Sequence, residues 1–212
     1  MQFNSLTRFV NRPPAPKVIL GERCELCAAP IGDVHSHLVD LTDRRLMCAC
    51  RPCYLLFTPQ GAAQGRYKAV PDRYLYLADF TITNVQWDEL QIPISLAFFF
   101  FNSTSQNMAA FYPSPAGATE SLLPLGTWEE IVAANPIIAS LESDVEALLV
   151  FRKKDVAPQS YIVPIDACYE LVGLIRKTWK GFDGGEEAWD GIGRFFHGIR
   201  AKCSGVSPQR VS

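Results

Sequence analysis

Histidine and methionine are scarce, at three residues each in 212. Charge nearly cancels, with 20 basic against 22 acidic side chains and a net charge of −2. No global basic field exists to draw in nucleic acid, and no block of like charge marks an interaction tail. The longest apolar stretch, around IPISLAFFFF, is far short of the roughly 20 residues a membrane-spanning helix needs. The opening residues MQFNSLTRFVNRPP lack an apolar segment of the kind that directs export. A cytoplasmic location is therefore expected, with thiols kept reduced. There is no G-x-x-x-x-G-K-[ST], G-x-G-x-x-G or G-x-S-x-G, so the phosphate-binding loops and nucleophile elbow that announce common enzyme classes are missing. Internal repeats and low-complexity segments are absent as well.

Cysteine, by contrast, is concentrated. Five of the seven cysteines and two of the three histidines lie between Cys24 and Cys53, in the pattern CELC, HSH, CACRPC. Two thiolates two residues apart on a tight turn can bite one ion, and a gap of about twenty residues lets a hairpin bring two such pairs together. An odd number of crowded cysteines argues against a disulfide cluster. Zinc held by Cys24, Cys27, Cys50 and Cys53 is the expectation, with a four-cysteine iron site as the alternative. Rubredoxin-like iron knuckles carry glycine after the second cysteine of each pair, whereas Ala28 and Tyr54 stand there, which weighs against iron.

Pro52 suits the first turn of a helix that YLLF continues. Turn, hairpin and helix start would then follow in the order of a treble clef. Cys48 is two residues before Cys50, so on an extended strand it shares that side and is an alternative ligand or a spare thiol. His35 and His37 share one face of an extended HSHLVDL and are further alternates. A hydrogen-bonding or surface role is favoured for them, because four thiolates already suffice. The HNH-nuclease version of a treble clef fails, because no histidine follows Cys53 until His197.

The chain divides into an extended arm (1–20), the cysteine-rich module (21–58), a TPQGAAQG linker (59–65), an α/β body (66–202) and a tail (203–212). The fold class is α+β: a small treble-clef or zinc-ribbon-like module followed by a mixed domain with a largely antiparallel sheet. YKAV and YLYLADF read as strands around a Pro71-Asp72 turn. T-x-x-Q at Thr83 and T-x-x-E at Thr127 read as capping boxes. SLAFFFF reads as a strand buried on both faces, paired with MAAFYPS. Asn135 and Pro136 read as an N-cap and first helical residue. DVEALLVFR and SYIVPI form another pair, joined by KKDVAPQ. Asp166 should cap a helix whose apolar stripe is Cys168, Leu171, Val172, Ile175 and Trp179, with Gly181 at its end. A last helix turns Trp189, Ile192, Phe195, Phe196 and Ile199 to the core.

The body offers little chemistry. His197 has no sequence-evident partner, and Cys168 falls on an apolar stripe, so a surface histidine and an inert core thiol are expected. GATES reads as a loop in which Gly117, Thr119 and Ser121 could contact an anion or a partner's backbone. An ordinary ordered loop is the simpler reading, and Asp183-Gly184-Gly185 reads as a helix–helix turn. Around the module Arg44, Arg45, Arg51, Arg66 and Lys68 are diluted by Glu22, Glu25, Asp33, Asp40 and Asp43, which argues against nucleic acid.

The phrases CELC, HSHLVDL, CACRPC, FYPSPAGATESLLPL and VPIDACYELVGLIR together resemble an uncharacterised bacterial family associated with gene clusters for nickel–iron hydrogenases and their maturation factors. The resemblance spans about residues 20 to 200 and carries no catalytic residues with it. It implies an accessory, assembly or subunit role, with a hydrogenase subunit or maturation factor as protein partner. Three function classes follow: a non-enzymatic zinc-stabilised docking protein, a rubredoxin-like electron carrier, and a nucleic-acid-binding regulator. The first is the expectation.

Overall fold

The computed structural model describes residues 21–59, 61–152, 158–181 and 183–203. The expected N-terminal arm, the tail beyond residue 203 and most of the KKDVAPQ connection lie outside these residues.

The chain begins with a small antiparallel sheet of β1 (Ser36–Asp40), β2 (Arg45–Ala49) and β3 (Tyr67–Ala69), in the order β2-β1-β3. Helix α1 (Arg51–Phe57) follows β2 directly. Leu38, Met47 and Ala49 form its core, with Leu26, Tyr54, Phe57 and Tyr67 packed around them. The YKAV segment thus does not turn back on YLYL as the sequence suggested. Its strand pairs with β1, matching Leu38 to Ala69 and Asp40 to Tyr67. The reason is burial, since Tyr67 and Ala69 both cover this small core.

Asp40 locks the end of the central strand. Its side chain is 1% exposed and accepts hydrogen bonds from the Thr42 and Asp43 N–H groups and from the Arg66 guanidinium. Arg66 chiefly holds the Asp40 carboxyl below its ordinary value, against the upward push of burial. A depressed carboxyl stabilises the fold fully above its unfolded value, near 4, and loses that contribution as pH falls through the folded one. Asp40→Asn should therefore cost about 2 kcal/mol at neutral pH, the range for hydrogen bonds to a charged group. The difference from wild type should shrink in acid. Urea unfolding at pH 7 and pH 3 checks this, and a difference that is equal at both would refute it.

The larger sheet contains β4 (Leu75–Tyr76), β5 (Leu96–Asn102), β6 (Asn107–Ser114), β7 (Gly117–Ser121), β8 (Glu146–Phe151) and β9 (Gln159–Pro164). Its order is β4-β9-β8-β5-β6-β7 and every pairing is antiparallel. The apolar run in β5 is explained by cover on both faces. Phe98, with Leu149 and Val163, faces helices α4 (Ile165–Thr178) and α5 (Gly185–Cys203). Phe99, with Leu148, Val150 and Ile162, faces Trp87, Leu90, Trp128 and Ile131 of the α2 (Asn84–Glu89) and α3 (Leu125–Ala134) side. Alternate residues of a strand point to opposite faces, so a strand inside a three-layer stack must be apolar throughout.

The helix starts depart from expectation in three places. Thr83 makes the expected capping box with Gln86, but α3 begins two residues before Thr127, whose hydroxyl instead donates to Glu89. Asn135 and Pro136 take the expected N-cap and first positions, but of a short 3-10 turn (Pro136–Ser140), and the Asn135 side chain makes no capping bond. Its buried amide is used as a clamp, accepting from the Thr81 N–H and donating to the Thr81 and Ile131 carbonyls. Asp166 lies inside the first turn of α4, whose N-cap position is Pro164, and its carboxylate is engaged elsewhere. Gly181 falls beyond the end of α4, where Trp179 is already extended. Gly184, at φ +89°, closes that turn, and a Cβ there would be 2.9 Å from the Trp179 ring.

Helices α4 and α5 pack closely where Gly191 faces Leu174, which a Cβ would approach to 3.2 Å. Gly191→Pro adds a ring at this contact and removes a helical N–H. It should destabilise by about 3 kcal/mol or more. Thermal unfolding within a degree or two of wild type would contradict this.

Candidate metal centre

Cys24 and Cys27 sit on a tight knuckle. The Ala28 N–H donates to the Cys24 carbonyl and the Cys24 N–H to the Ala29 carbonyl, at 2.8 and 2.9 Å. Ala28 takes a left-handed φ of +59°, the conformation glycine adopts most easily, so the knuckle geometry is kept without it. Glu25 ties the knuckle to β2. Its N–H donates to the Cys48 carbonyl, while its carboxylate accepts from the Cys48 N–H at 2.9 Å and pairs with Arg45. That Arg45 hydrogen bond chiefly holds the Glu25 carboxyl below its ordinary value.

Cys50 and Cys53 come from the start of α1. Cys50 occupies the N-cap position in an extended conformation, Pro52 is in the first turn, and the Tyr54 N–H makes the first helical bond back to Cys50. A break from strand to helix at Ala49–Cys50 separates Cys48 from Cys50, although a continuous strand would have put them on one side. Knuckle, hairpin and helix start therefore follow in the expected order.

The sulfurs of Cys24, Cys27, Cys50 and Cys53 lie within 4.8 Å of one another, with Cys27 and Cys50 at 3.6 Å. A tetrahedral zinc with ordinary Zn–S bonds separates its sulfurs by about 3.8 Å, so the donor set fits with slight closure. This cluster can hold a metal ion. Cys24 and Cys53 are buried and Cys27 is exposed. Burial pushes the Cys24 thiol up, but hydrogen bonds from the Cys50, Cys27 and Leu26 N–H groups outweigh it and bring it to about 6. Cys53 is pushed up to about 12 by burial and by its three sulfur neighbours. An incoming cation must displace the protons of the thiols it binds.

The alternates are elsewhere. Cys48, His35 and His37 make a separate group in which one donor atom from each lies within 4.8 Å of the others. His37 Nδ1 donates to Asp166 Oδ2 at 2.8 Å, joining the module to the start of α4 across 129 residues of sequence. The histidine stripe was legible in the sequence, but nothing there connected it to Asp166. Lys68 adds a second tie, donating to the Ser143 carbonyl at 2.7 Å.

The GATES segment departs from the expected loop. It is strand β7 rather than a loop, paired with β6 from Ala110–Ser121 to Ser114–Gly117. The Thr119 hydroxyl is engaged with Ser114, and the Ser121 hydroxyl donates to the Leu90 carbonyl. With Gly117 in the ladder, these residues are occupied within the fold. In the body His197 is exposed, and burial, with Asp166 adding to it, pushes the fully enclosed Cys168 thiol well above its ordinary value. Such a thiol packs as a hydrophobe.

Among the described residues no helix is long and apolar enough to cross a membrane. Fold and site together define a mixed α/β protein with antiparallel sheets and a tight four-cysteine cluster, able to hold a metal ion, near its N-terminus. The chain belongs to a family of unknown function, DUF5947, which matches residues 23–203. No curated protein matches it, and no solved structure does.

Proposed function

We propose that this protein is a zinc-stabilised docking protein rather than an enzyme, working in the cytoplasm on a protein partner. The observation that carries the reading is the convergence of four thiols, which would fill a tetrahedral shell and leave no position for substrate. Zinc is favoured over iron because closed four-cysteine shells at this ligand spacing are characteristic of structural zinc. The helix that supplies Cys53 also exposes Leu55 and Leu56, the latter at 67%, so metal binding would hold an apolar surface in place. Apolar side chains held outward on a rigid element are the usual anchors of a docking surface. The near-neutral net charge favours protein over nucleic acid as partner.

The resemblance noted above makes a hydrogenase subunit, precursor or maturation factor the first partner to seek. Tagged protein should capture such a partner from cells expressing a nickel–iron hydrogenase. Leu55→Glu/Leu56→Glu should abolish capture while leaving bound zinc unchanged, and deletion strains should lose hydrogen uptake. Capture of no hydrogenase-related protein, with unchanged uptake, would remove the hydrogenase link. A red, iron-containing protein would favour the electron-carrier reading. A substrate bound to an open-coordinated ion at the four cysteines would overturn docking as the role of that centre.

A further inference from the structure

We propose that His35, His37 and Cys48 form a second metal site, distinct from the four-cysteine centre, that takes a borderline divalent ion such as zinc or cobalt and leaves one coordination position open.

The site is built by the hairpin. His37 and Cys48 are direct partners across β1 and β2, so their side chains leave the sheet on the same face. His35, two residues before His37, projects from that face too, and the two imidazole rings are 4.6 Å apart. One donor atom from each residue lies within 4.8 Å of the others. A tetrahedral N₂S set needs about 3.3–3.6 Å between donors at ordinary Zn–N and Zn–S lengths, so the widest separation must close by no more than about 1.2–1.5 Å.

Both histidines are held in the tautomer that ligation by Nε2 requires. His35 Nδ1 lies 2.9 Å from the Gly32 carbonyl, with Glu22 also on that side. A carbonyl accepts only from N–H, so the lone pair is left on Nε2. That atom is buried and has no hydrogen-bond partner, in a side chain only 9% exposed. An orphaned buried nitrogen costs about 1–3 kcal/mol, and coordination would remove the cost. His37 Nδ1 is engaged by the Asp166 carboxylate, the carboxylate–histidine–metal arrangement that orients a ligand and raises its basicity. The same histidines line a cavity of about 1000 Å³ between module and body, with Asp72, Tyr74, Glu170 and Lys202 on its walls. With three protein ligands, two of them on the wall of this cavity, the fourth position is left to water or an exchangeable small ligand. Binding converts the Cys48 thiol to a metal thiolate and releases its proton to solvent.

The inference goes beyond the docking reading and does not depend on it. The test equilibrates the full chain with zinc, removes the excess, and measures zinc per chain for wild type, Cys48→Ala and His35→Gln. Cobalt substitution follows the thiolate-rich centre separately by its charge-transfer absorption. Wild type should hold two ions per chain, one for each ligand group. Each variant should hold one, with the four-thiolate cobalt spectrum and the thermal transition preserved. Asp166→Asn should weaken zinc at this site by about 10–100-fold in chelator competition, without changing that spectrum. A single zinc in the wild type would overturn the second site. So would two zincs retained by Cys48→Ala, or simultaneous loss of both ions, which would mean one merged centre.

Discussion

Cys53→Ser should lose the ion of the four-cysteine centre and unfold the module around β1, β2 and α1. Cys27→Ser should behave likewise. Among the described residues only three buried side chains, Leu38, Met47 and Ala49, form the apolar core here beside Cys24 and Cys53 themselves. At roughly 1.5–3 kcal/mol for each large buried side chain, such a core is small. A structural zinc contributes about 10–16 kcal/mol of apparent binding energy in comparably small units, so a zinc bound here would dominate the balance. Cys53 is the more instructive position, because serine there removes a ligand and places a hydroxyl in a buried site. The six-stranded sheet has its own cores on both faces and should persist, so thermal unfolding should show the transition of the body alone, with the module already unfolded at the start. Cys48→Ser should leave the four-thiolate centre intact. Equal loss of the four-thiolate cobalt spectrum in Cys48→Ser and Cys50→Ser would show that the ligands have been assigned wrongly.

Arg73→Met should destabilise the body by about 3–5 kcal/mol, the cost of stripping a buried carboxylate of its partner. Glu146 lies on the central strand β8 with its side chain 1% exposed. It accepts from Arg73 Nε at 2.6 Å, from the second arm of the same guanidinium, and from the Glu142 N–H at 2.8 Å. Arg73 also donates to the Ser140 carbonyl at 2.8 Å, so one side chain ties the segment entering the body to the loop before β8. The double variant Arg73→Met/Glu146→Leu should recover much of the loss, because the unpaired charge and not the missing bond is the main cost. The midpoint of urea unfolding measures both effects. A loss under about 1 kcal/mol for Arg73→Met would place this pair among ordinary surface ion pairs.

Much of the body was legible along the chain. The β5–β6 and β8–β9 pairs and most of the apolar stripes of α4 and α5 are periodic patterns, and periodicity reports burial, although Trp189, expected in the core, is exposed. The capping box at Thr83 was legible for the same local reason, whereas its twin at Thr127 was misleading. There the motif competes with a helix that starts earlier, and Thr127 finds Glu89 on a neighbouring helix instead. GATES was misread because glycine and small polar residues favour turns. Pairing with β6 imposed strand geometry on it, as tertiary context often does with weak local preference.

At the module, the spacing within each C-x-x-C pair and the proline after Cys50 were enough to mark a knuckle and a helix start. Both are set by a few consecutive backbone angles, which neighbouring residues dictate. The separation of Cys48 from Cys50 was not readable in this way, because it depends on where the strand stops and the helix begins. Nor was the His37–Asp166 contact, which spans 129 residues and exists because the small sheet packs beside α4, with Val39 and Leu46 against the larger core. Contacts at such range are chosen by the packing of whole elements, which spacing along a single chain does not encode. For that reason two histidines and a cysteine that looked like spare ligands of one centre stand together as a group of their own.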